Sequence, residues 1–446
     1  GGEALRDEYH PGWWVSDRGP LPGLVFAFGA AALHVDVPTA DPITVASDDN
    51  VMAFMDPFGY WLYLIIASAF STAAVLGVYA LGERWFGPRS ALVGSLLFAL
   101  LPGVFVYAVY PRPALVQVLP ALMALVLVSE RRYWWAGVAI GVCALLHPTG
   151  AVWGIGAVVA AALALRSLRA LVPAVARMVV PAAALYLPWM AFTSVVVGGS
   201  SRMLVWPLGD KLSDPTQPLD GVAEAWEGLV ARGLWEVPWV RSVALVRSVV
   251  PAELYDMPEE VQRGWIGLHS TGAWGLVGLV AFPLAVVALL RLDVALRTRI
   301  LLVGGVVVLV NLVMEGFPES FFPQGLLPLA ALLVLALAAW AVQWRRGWRV
   351  VLVVVVALEQ VSLVWASSLY DPFGTAPGVV ATFTIAAALA QGALIAWLAA
   401  VLVTGRGVAA GTSASAMEPV GDGASSGGER PGTAGEAATR ASAPAG

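Results

Sequence analysis

Two pairs of charged side chains near the start of the chain have the types required for acid–base and phosphate chemistry. Asp7 is followed by Glu8, and Asp17 is followed by Arg18. A carboxylate held at a membrane surface suits a general base, because partial desolvation raises its pKa toward neutrality. An arginine can hold a phosphate while a neighbouring acid orients it or binds a cation. Asp7 and Glu8 are therefore the catalytic candidates, and both acids together with Asp17 are candidates for holding a divalent cation.

Each pair also has an ordinary structural explanation. Asp7 and Glu8 are alternatively two hydrated acids in a loop, where adjacent carboxylates are common. Arg18 is alternatively a snorkelling side chain at the membrane surface, paired with Asp17. The residues by themselves leave both alternatives open.

The composition defines the class of protein. Apolar residues make up 59% of the chain and charged residues 12%, against roughly 25% charged in soluble domains. We therefore expect an all-α, polytopic integral membrane protein. The net charge of −5 is thinly spread and no basic patch with interleaved aromatics occurs, which argues against a nucleic-acid partner. Cys143 is the single cysteine, so the chain has no intrachain disulfide and no cysteine-ligated metal site.

Eleven apolar runs reach, or nearly reach, the length needed to cross a hydrocarbon core of about 30 Å. They cover residues 58–81, 88–108, 114–129, 133–147, 150–165, 172–196, 271–290, 299–315, 324–342, 349–366 and 378–403. Fourteen arginines fall in one set of alternate loops, whereas the short loops of the other set contain only Arg112. The positive-inside rule then assigns the arginine-rich loops to the cytoplasm.

This orientation predicts the domain organisation. Residues 1–57 and 197–270 lie on the outer face, and the spans occupy 58–196 and 271–404. The tail, 405–446, is cytoplasmic and disordered, because its Gly, Ala, Ser and Pro cannot offset the entropy of ordering.

Two outer segments are expected to lie along the membrane surface. The loop 197–270 mixes tryptophans with charged residues, which is typical of amphipathic helices at an interface. Leu21–Val35 is too short to span, so a surface-lying or re-entrant helix is expected there. The near-exclusive use of arginine over lysine, with abundant Ala, Gly and Val, favours a GC-rich bacterial genome and hence a plasma-membrane protein.

Two further residues could contact a ligand. His147 closes a span at the outer surface, where it is either a hydrogen-bonded helix end or a site residue. Arg202 is one of the few basic residues of the long outer loop, any of which could reach a phosphate.

The order of these features resembles the GT-C glycosyltransferases of the protein O-mannosyltransferase and lipid A aminoarabinose transferase type. The resemblance covers roughly residues 1–345. Its motifs are the two charged pairs before Pro20-Leu21, Tyr79-Ala80-Leu81-Gly82-Glu83-Arg84-Trp85-Phe86-Gly87-Pro88-Arg89, Tyr110-Pro111-Arg112-Pro113, Leu146-His147-Pro148-Thr149-Gly150, Leu187-Pro188-Trp189 and Phe322-Pro323-Gln324-Gly325-Leu326-Leu327-Pro328-Leu329.

The resemblance implies transfer of a sugar, with inversion, from a polyprenyl-phosphate donor in the membrane to an acceptor hydroxyl on the outer face. Asp7 would be the general base, supported by Glu8. Arg18 would stabilise the leaving phosphate with Asp17 beside it. His147 and Gln324 would lie near the sugar or phosphate pocket. The partners implied are the lipid-linked donor, membrane lipids and a cell-envelope glycan, lipid or protein acceptor.

Two features depart from the family pattern. The interval from Asp7 to Asp17 is shorter than in the aminoarabinose transferases, and no span precedes the acidic pair. The chain starts with Gly1-Gly2, so a catalytic aspartate upstream of Gly1, with Asp7 as its neighbour, is the alternative expectation.

Two other classes of protein compete with the enzyme. A transporter or flippase for a lipid-linked or cell-envelope substrate is expected to place ionisable residues or broken helices in mid-span and to contain a repeat. Here the spans are nearly free of charge, polar groups gather at their outer ends, and no repeat is seen, which favours the enzyme. A noncatalytic membrane assembly subunit requires only the spans.

Overall fold

The computed structural model describes residues 8–10, 13–14, 57–102, 104, 113–192, 278–314, 327–368 and 377–404, with isolated helical positions at 195, 227, 230–231, 239 and 242. The chain divides into two units, Gly1–Val408 and Ala409–Gly446. All of the described residues belong to the first unit.

The described part of the chain is almost entirely helical, which confirms the all-α class. The helices are α1 (Pro57–Phe86), α2 (Pro88–Ala99), α3 (Pro113–Val116), α4 (Val118–Ser129), α5 (Tyr133–Leu146), α6 (Val152–Leu165), α7 (Leu168–Phe192), α8 (Gly278–Arg291), α9 (Val294–Met314), α10 (Leu327–Ala341), α11 (Arg346–Ser368) and α12 (Pro377–Ala399). A 3₁₀ turn (Pro148–Ala151) precedes α6, and a π-helical turn (Ala400–Thr404) extends α12. Each of the eleven predicted apolar runs overlaps at least one of these helices.

A short antiparallel pair of strands is the exception. Strand β1 (Glu8–His10) pairs with β2 (Trp13–Trp14), with Glu8 opposite Trp14 and His10 opposite Trp13. Glu8 of the predicted acidic pair therefore lies in β1, whereas Asp7 lies outside the described residues.

Helix α7 and residues Val294–Leu312 of α9 are, within the described residues, the two helical segments long and apolar enough to cross a membrane by length and composition. Their most apolar windows are only 17% and 28% buried. Exposed apolar residues on α7 include Leu168, Val172, Val180 and Leu187. A wide apolar surface of this kind suits contact with lipid tails.

Small residues allow the helices to approach closely. Gly137 and Gly141, one turn apart on α5, face α7. A Cβ at Gly137 would collide with the carbonyl oxygen of Met178, and one at Gly141 would lie 2.9 Å from Leu185 Cδ1. Such close backbone contact is the usual packing device of membrane helices, because lipid provides little hydrophobic force to join them.

Helix α10 lies at the centre of the bundle. Nearly all of its residues are buried, which is expected of a helix that is apolar on every face. Leu335 fits against two glycines, since a Cβ on either Gly82 of α1 or Gly94 of α2 would lie 2.6 Å from Leu335 Cδ2.

One end of the bundle carries most of the arginines, and we call it the arginine-rich end. There the Trp85 indole N–H donates to Ser129 Oγ at 3.1 Å, and the Arg299 guanidinium lies 5.3 Å from the Trp85 ring centroid. These contacts bring the last turns of α1 and α4 to the second turn of α9. These helix ends therefore meet where the arginine pattern predicts. The assignment of the arginine-rich end to the cytoplasm stays a prediction.

Candidate functional site

His147 is the predicted site residue whose side chain the structure describes. Asp7, Asp17, Arg18, Arg202 and Gln324 lie outside the described residues. Glu8 is described only through the backbone of β1. Within the described part of the chain, no group of three or more His, Cys, Asp and Glu side chains could hold a metal ion.

His147 links α5 to the 3₁₀ turn at the end of the bundle opposite the arginines. Its backbone is extended (φ −156°, ψ 133°), as expected for a residue before proline. The His147 N–H donates to Cys143 O at 3.0 Å, which ends α5, and Gly150 N–H donates to His147 O at 2.8 Å, which closes the next turn. Both backbone groups of His147 are therefore used in holding the turn.

The imidazole caps the 3₁₀ turn and is itself buried, at 3% exposure. Its Nδ1 accepts the Thr149 backbone N–H at 3.3 Å and lies 2.7 Å from Thr149 Oγ1. Because Nδ1 is an acceptor in this arrangement, the neutral ring carries its proton on Nε2. The helix-end alternative for His147 thus describes its local contacts correctly.

Gly150 and Cys143 fix the position of the turn. A Cβ on Gly150 would lie 2.6 Å from Cys143 O and 2.7 Å from Cys143 Sγ. The Cys143 thiol donates to Gln117 O at 3.4 Å. Gln117 is fully buried at the break between α3 and α4. The His147 turn is therefore tied to a second helix break, and only glycine fits at position 150.

Asn311 of α9 lies at the same depth as this turn. Helices α6 and α9 run antiparallel, and the Gly156 Cβ position is 3.1 Å from Val307 Cγ2 and 3.3 Å from Val303 Cγ1. Val152, beside the 3₁₀ turn, lies one helical turn from Gly156 toward the start of α6. Asn311 lies one turn beyond Val307 on the antiparallel α9 and therefore reaches the depth of the 3₁₀ turn.

The Asn311 side chain is incompletely hydrogen-bonded. Its Nδ2 donates to Val307 O at 2.9 Å, but its Oδ1 has no hydrogen-bond partner, although the residue is only 2% exposed. A buried carbonyl oxygen without a donor costs about 1–3 kcal/mol. Asn311 is therefore an acceptor available to a ligand, and the sequence analysis did not select it.

Another set of buried polar residues lies far from either end. Glu359 and Gln360 of α11 and Gln391 of α12 are 6%, 2% and 4% exposed. The expectation that polar groups gather at the outer ends of the spans is wrong for this set. The only sequence signal was a single polar residue, or a pair, interrupting each apolar run, which is the same signal that marks Gln117 and Asn311.

The fold has a known counterpart. The chain is similar to the crystal structure of ArnT from Cupriavidus metallidurans bound to undecaprenyl phosphate, with a TM-score of 0.50, 16% identity, and coverage of 91% of this chain and 67% of that one. The apo structure of the same ArnT aligns with a TM-score of 0.47 and 15% identity. No protein-family model and no curated protein matches the sequence. The fold expected from the resemblance is thereby confirmed.

Proposed function

We propose that this chain is a membrane glycosyltransferase that moves a sugar from a polyprenyl-phosphate donor to an acceptor hydroxyl at the outer face of a bacterial plasma membrane. The observation that carries the proposal is the GT-C fold shared with ArnT, whose structure is bound to undecaprenyl phosphate. The acceptor would be a cell-envelope glycan, lipid or protein.

The reaction requires a base for the acceptor and a cation for the leaving group. The Asp7 carboxylate takes the proton of the acceptor hydroxyl, with Glu8 supporting it. The acceptor oxygen then bonds to the anomeric carbon on the side opposite the phosphate. The bond from that carbon to the phosphate oxygen breaks, its electron pair stays with the lipid phosphate, and the sugar centre inverts.

Arg18 meets the charge that develops on the phosphate, and Asp17 orients the guanidinium. A preorganised cation aimed at developing charge is among the largest contributions that a site makes to catalysis. Arg202 and Gln324 are secondary candidates for contacts to phosphate and sugar. A divalent cation held by Asp7, Glu8 and Asp17 would serve the same phosphate, and inhibition by chelator is its test.

His147 would contribute a directed hydrogen bond. Because Nδ1 is bonded to Thr149, a contact from the ring to the lipid-linked donor would be made through Nε2–H. A donor fixed by a closed turn suits an oxygen of the donor sugar or phosphate, because little reorganisation is needed when that oxygen gains charge.

The test is sugar transfer by the purified chain in liposomes, with a panel of radiolabelled undecaprenyl-phosphate sugars and cell-envelope acceptors. Asp7→Asn should abolish transfer without changing membrane insertion, whereas Asp41→Asn, an acid of the same segment with no assigned role, should leave it intact. Arg18→Ala should raise the KM for the donor. Full activity of Asp7→Asn would assign the base to another residue, and no transfer from any donor by the native chain would refute the enzyme.

A transporter or flippase is the second candidate, and the mid-bundle polar residues favour it. Helix α2 ends at Ala99, helical backbone resumes at Pro102, and Glu359 is buried near this break. Broken helices and ionisable groups at such depth are typical of transporters. Movement of a labelled polyprenyl-phosphate sugar between leaflets, without transfer to any acceptor, would support this candidate over the enzyme.

A further inference from the structure

The arginine-rich end carries positive charge that its own acids do not balance. In the part of the chain that the structure describes, the acids at this end are Glu83, Glu130 and Asp293, and arginines far outnumber them. Arg132 Nε lies 3.4 Å from Glu130 Oε2, and no other described arginine pairs with a carboxylate. The unbalanced charge of this end therefore attracts an anionic partner.

Two of these arginines occupy backbone positions that favour glycine. Arg131 follows α4 with φ 59°, and Arg166 follows α6 with φ 52°. Helices often end on a residue in this left-handed conformation, usually glycine, because a Cβ is crowded there. Both side chains are exposed, and neither makes a hydrogen bond or ion pair with the described residues. Arginine at two such turns therefore indicates that these side chains act on something outside the chain.

Helix packing brings the two turns to one edge of the arginine-rich end. Helix α4 packs against α6, and α5 packs against α7. The Gly154 Cβ position of α6 lies 3.0 Å from Ile140 Cγ2 of α5. From this contact Arg166 is about 18 Å further along α6, and Arg131 is about 14 Å back along α5, at 1.5 Å per residue. The two arginines therefore lie within about one helical turn of each other in depth.

Helix α7 extends this positive edge onto an exposed face. Arg169 lies on the side of α7 opposite the buried Met178, and Arg177, two turns further on, borders the same exposed side. Val180 and Leu187 continue the Arg169 side at 55% and 57% exposure. The face is therefore positively charged at the arginine-rich end and apolar beyond it.

Two exposed tryptophans mark the level of the lipid headgroups beside this face. Trp134 and Trp135, in the first turn of α5, are 50% and 59% exposed. The close contact of Gly137 with Met178 sets the register of α5 on α7 and places both tryptophans, in depth, between the two arginines of α7. Tryptophan is enriched at the boundary between hydrocarbon and headgroups, so the arginines lie where a phospholipid carries its phosphate.

We propose that Arg131, Arg166, Arg169 and Arg177 form, with the apolar face of α7, a binding surface for an anionic phospholipid. The guanidinium groups bind the headgroup phosphate, whose geometry they match, and the acyl chains lie along α7. The apolar part of the surface distinguishes a lipid from free phosphate, because only a lipid covers it. The surface lies at the end of the bundle opposite the His147 turn and does not depend on the proposed glycosyltransferase activity.

The experiment is native mass spectrometry of the purified full chain in detergent, titrated with phosphatidylglycerol or with zwitterionic phosphatidylcholine. The native chain should bind phosphatidylglycerol more tightly. The double variant Arg169→Gln/Arg177→Gln should lose affinity for it by roughly 25-fold, at roughly fivefold for each arginine. Arg291→Gln is the matched control, because Arg291 is an exposed arginine of the same end on α8, which packs against α10. Its affinity should stay within about twofold of the native value.

Arg131→Gly and Arg166→Gly separate lipid binding from folding. Glycine relieves the left-handed backbone, so the unfolding midpoint should equal or exceed that of the native chain while the affinity for phosphatidylglycerol falls. Equal affinities of the native chain for the two lipids would overturn the proposal, as would undiminished phosphatidylglycerol binding in the double variant. Displacement of the lipid by inorganic phosphate at constant ionic strength would assign the arginines to a free anion instead. Asp7→Asn should bind phosphatidylglycerol normally, so the proposed function is tested separately.

Discussion

The two buried polar regions of this bundle differ in how their hydrogen bonds are satisfied. At the His147 turn, the imidazole and the backbone make local hydrogen bonds, the neighbouring Cys143 thiol bonds to Gln117 O, and Gly150 is packed against Cys143. In the region of Glu359, Gln360 and Gln391, the Gln360 side chain makes one hydrogen bond, to the carbonyl at the break after α2. The Gln391 side chain makes none. The first region is built to hold a fixed geometry. The second retains buried carboxamide atoms that have no hydrogen-bond partner.

The largest effect should come from filling the space at the His147 turn. Gly150→Ala places a methyl group against the backbone of Cys143, so we expect a loss of about 1–3 kcal/mol in stability and a loss of sugar transfer. Thermal unfolding in detergent measures the first effect. Gly305→Ala in α9 is the control, because no atom lies within 4 Å of its Cβ position, and equal unfolding midpoints for the two variants would contradict the tight turn.

A smaller loss should follow at the other region when its one hydrogen bond is removed. Gln360→Leu takes away the Nε2 donor to Leu100 O, and we expect destabilisation of about 1 kcal/mol in thermal unfolding of the detergent-solubilised chain. Gln391→Leu in the same buffer should cost nothing. The difference between the two unfolding midpoints checks the assignment, and a larger loss in Gln391→Leu would reverse it.

His147 allows the cap and the proposed ligand contact to be separated. His147→Ala removes the acceptor for Thr149 N–H and should cost about 1 kcal/mol, the usual value for a lost cap. His147→Asn can still accept that bond through Oδ1 but has no equivalent of Nε2–H. It should keep native stability and show weaker binding of undecaprenyl phosphate by native mass spectrometry. Unchanged lipid binding in both variants would show that His147 caps the turn and does not contact the lipid.

The smallest effect is expected at Asn311. Asn311→Leu removes an unsatisfied oxygen and one bond within its own helix, so the unfolding midpoint should stay the same or rise slightly. If Asn311 Oδ1 accepts a hydroxyl of the donor, the KM for the donor rises in the same variant. A clear fall in stability would show that the oxygen has a structural donor.

Hydropathy predicted where helices occur better than where they end. The apolar run 88–108 contains α2, which stops at Ala99, and the run 114–129 is interrupted at Gln117. A hydropathy profile measures the free energy of transferring side chains and carries no information on which carbonyl loses its partner. Pro102 lies just after the first break, whereas at the second the sequence offers only the single polar residue Gln117.

The candidate site was only partly accessible to sequence reasoning. His147-Pro148 with Gly150 suggested a capped turn, because proline and glycine restrict the backbone locally. Asn311 reaches the same depth only because α9 packs antiparallel to α6 around Gly156. Such a contact joins residues far apart in the chain, so no local pattern predicts it.

The sequence alone determined that this is an all-α membrane protein with alternating arginine-rich loops, because composition and run length set the solvent in which a segment is stable. The tertiary structure decided which polar residues meet inside it. Gln360 looks like a minor interruption of an apolar run until the packing of α11 brings its amide to the Leu100 carbonyl at the break after α2. The reason is physical: burial of a polar group is a property of its neighbours, and neighbours are set by helix packing.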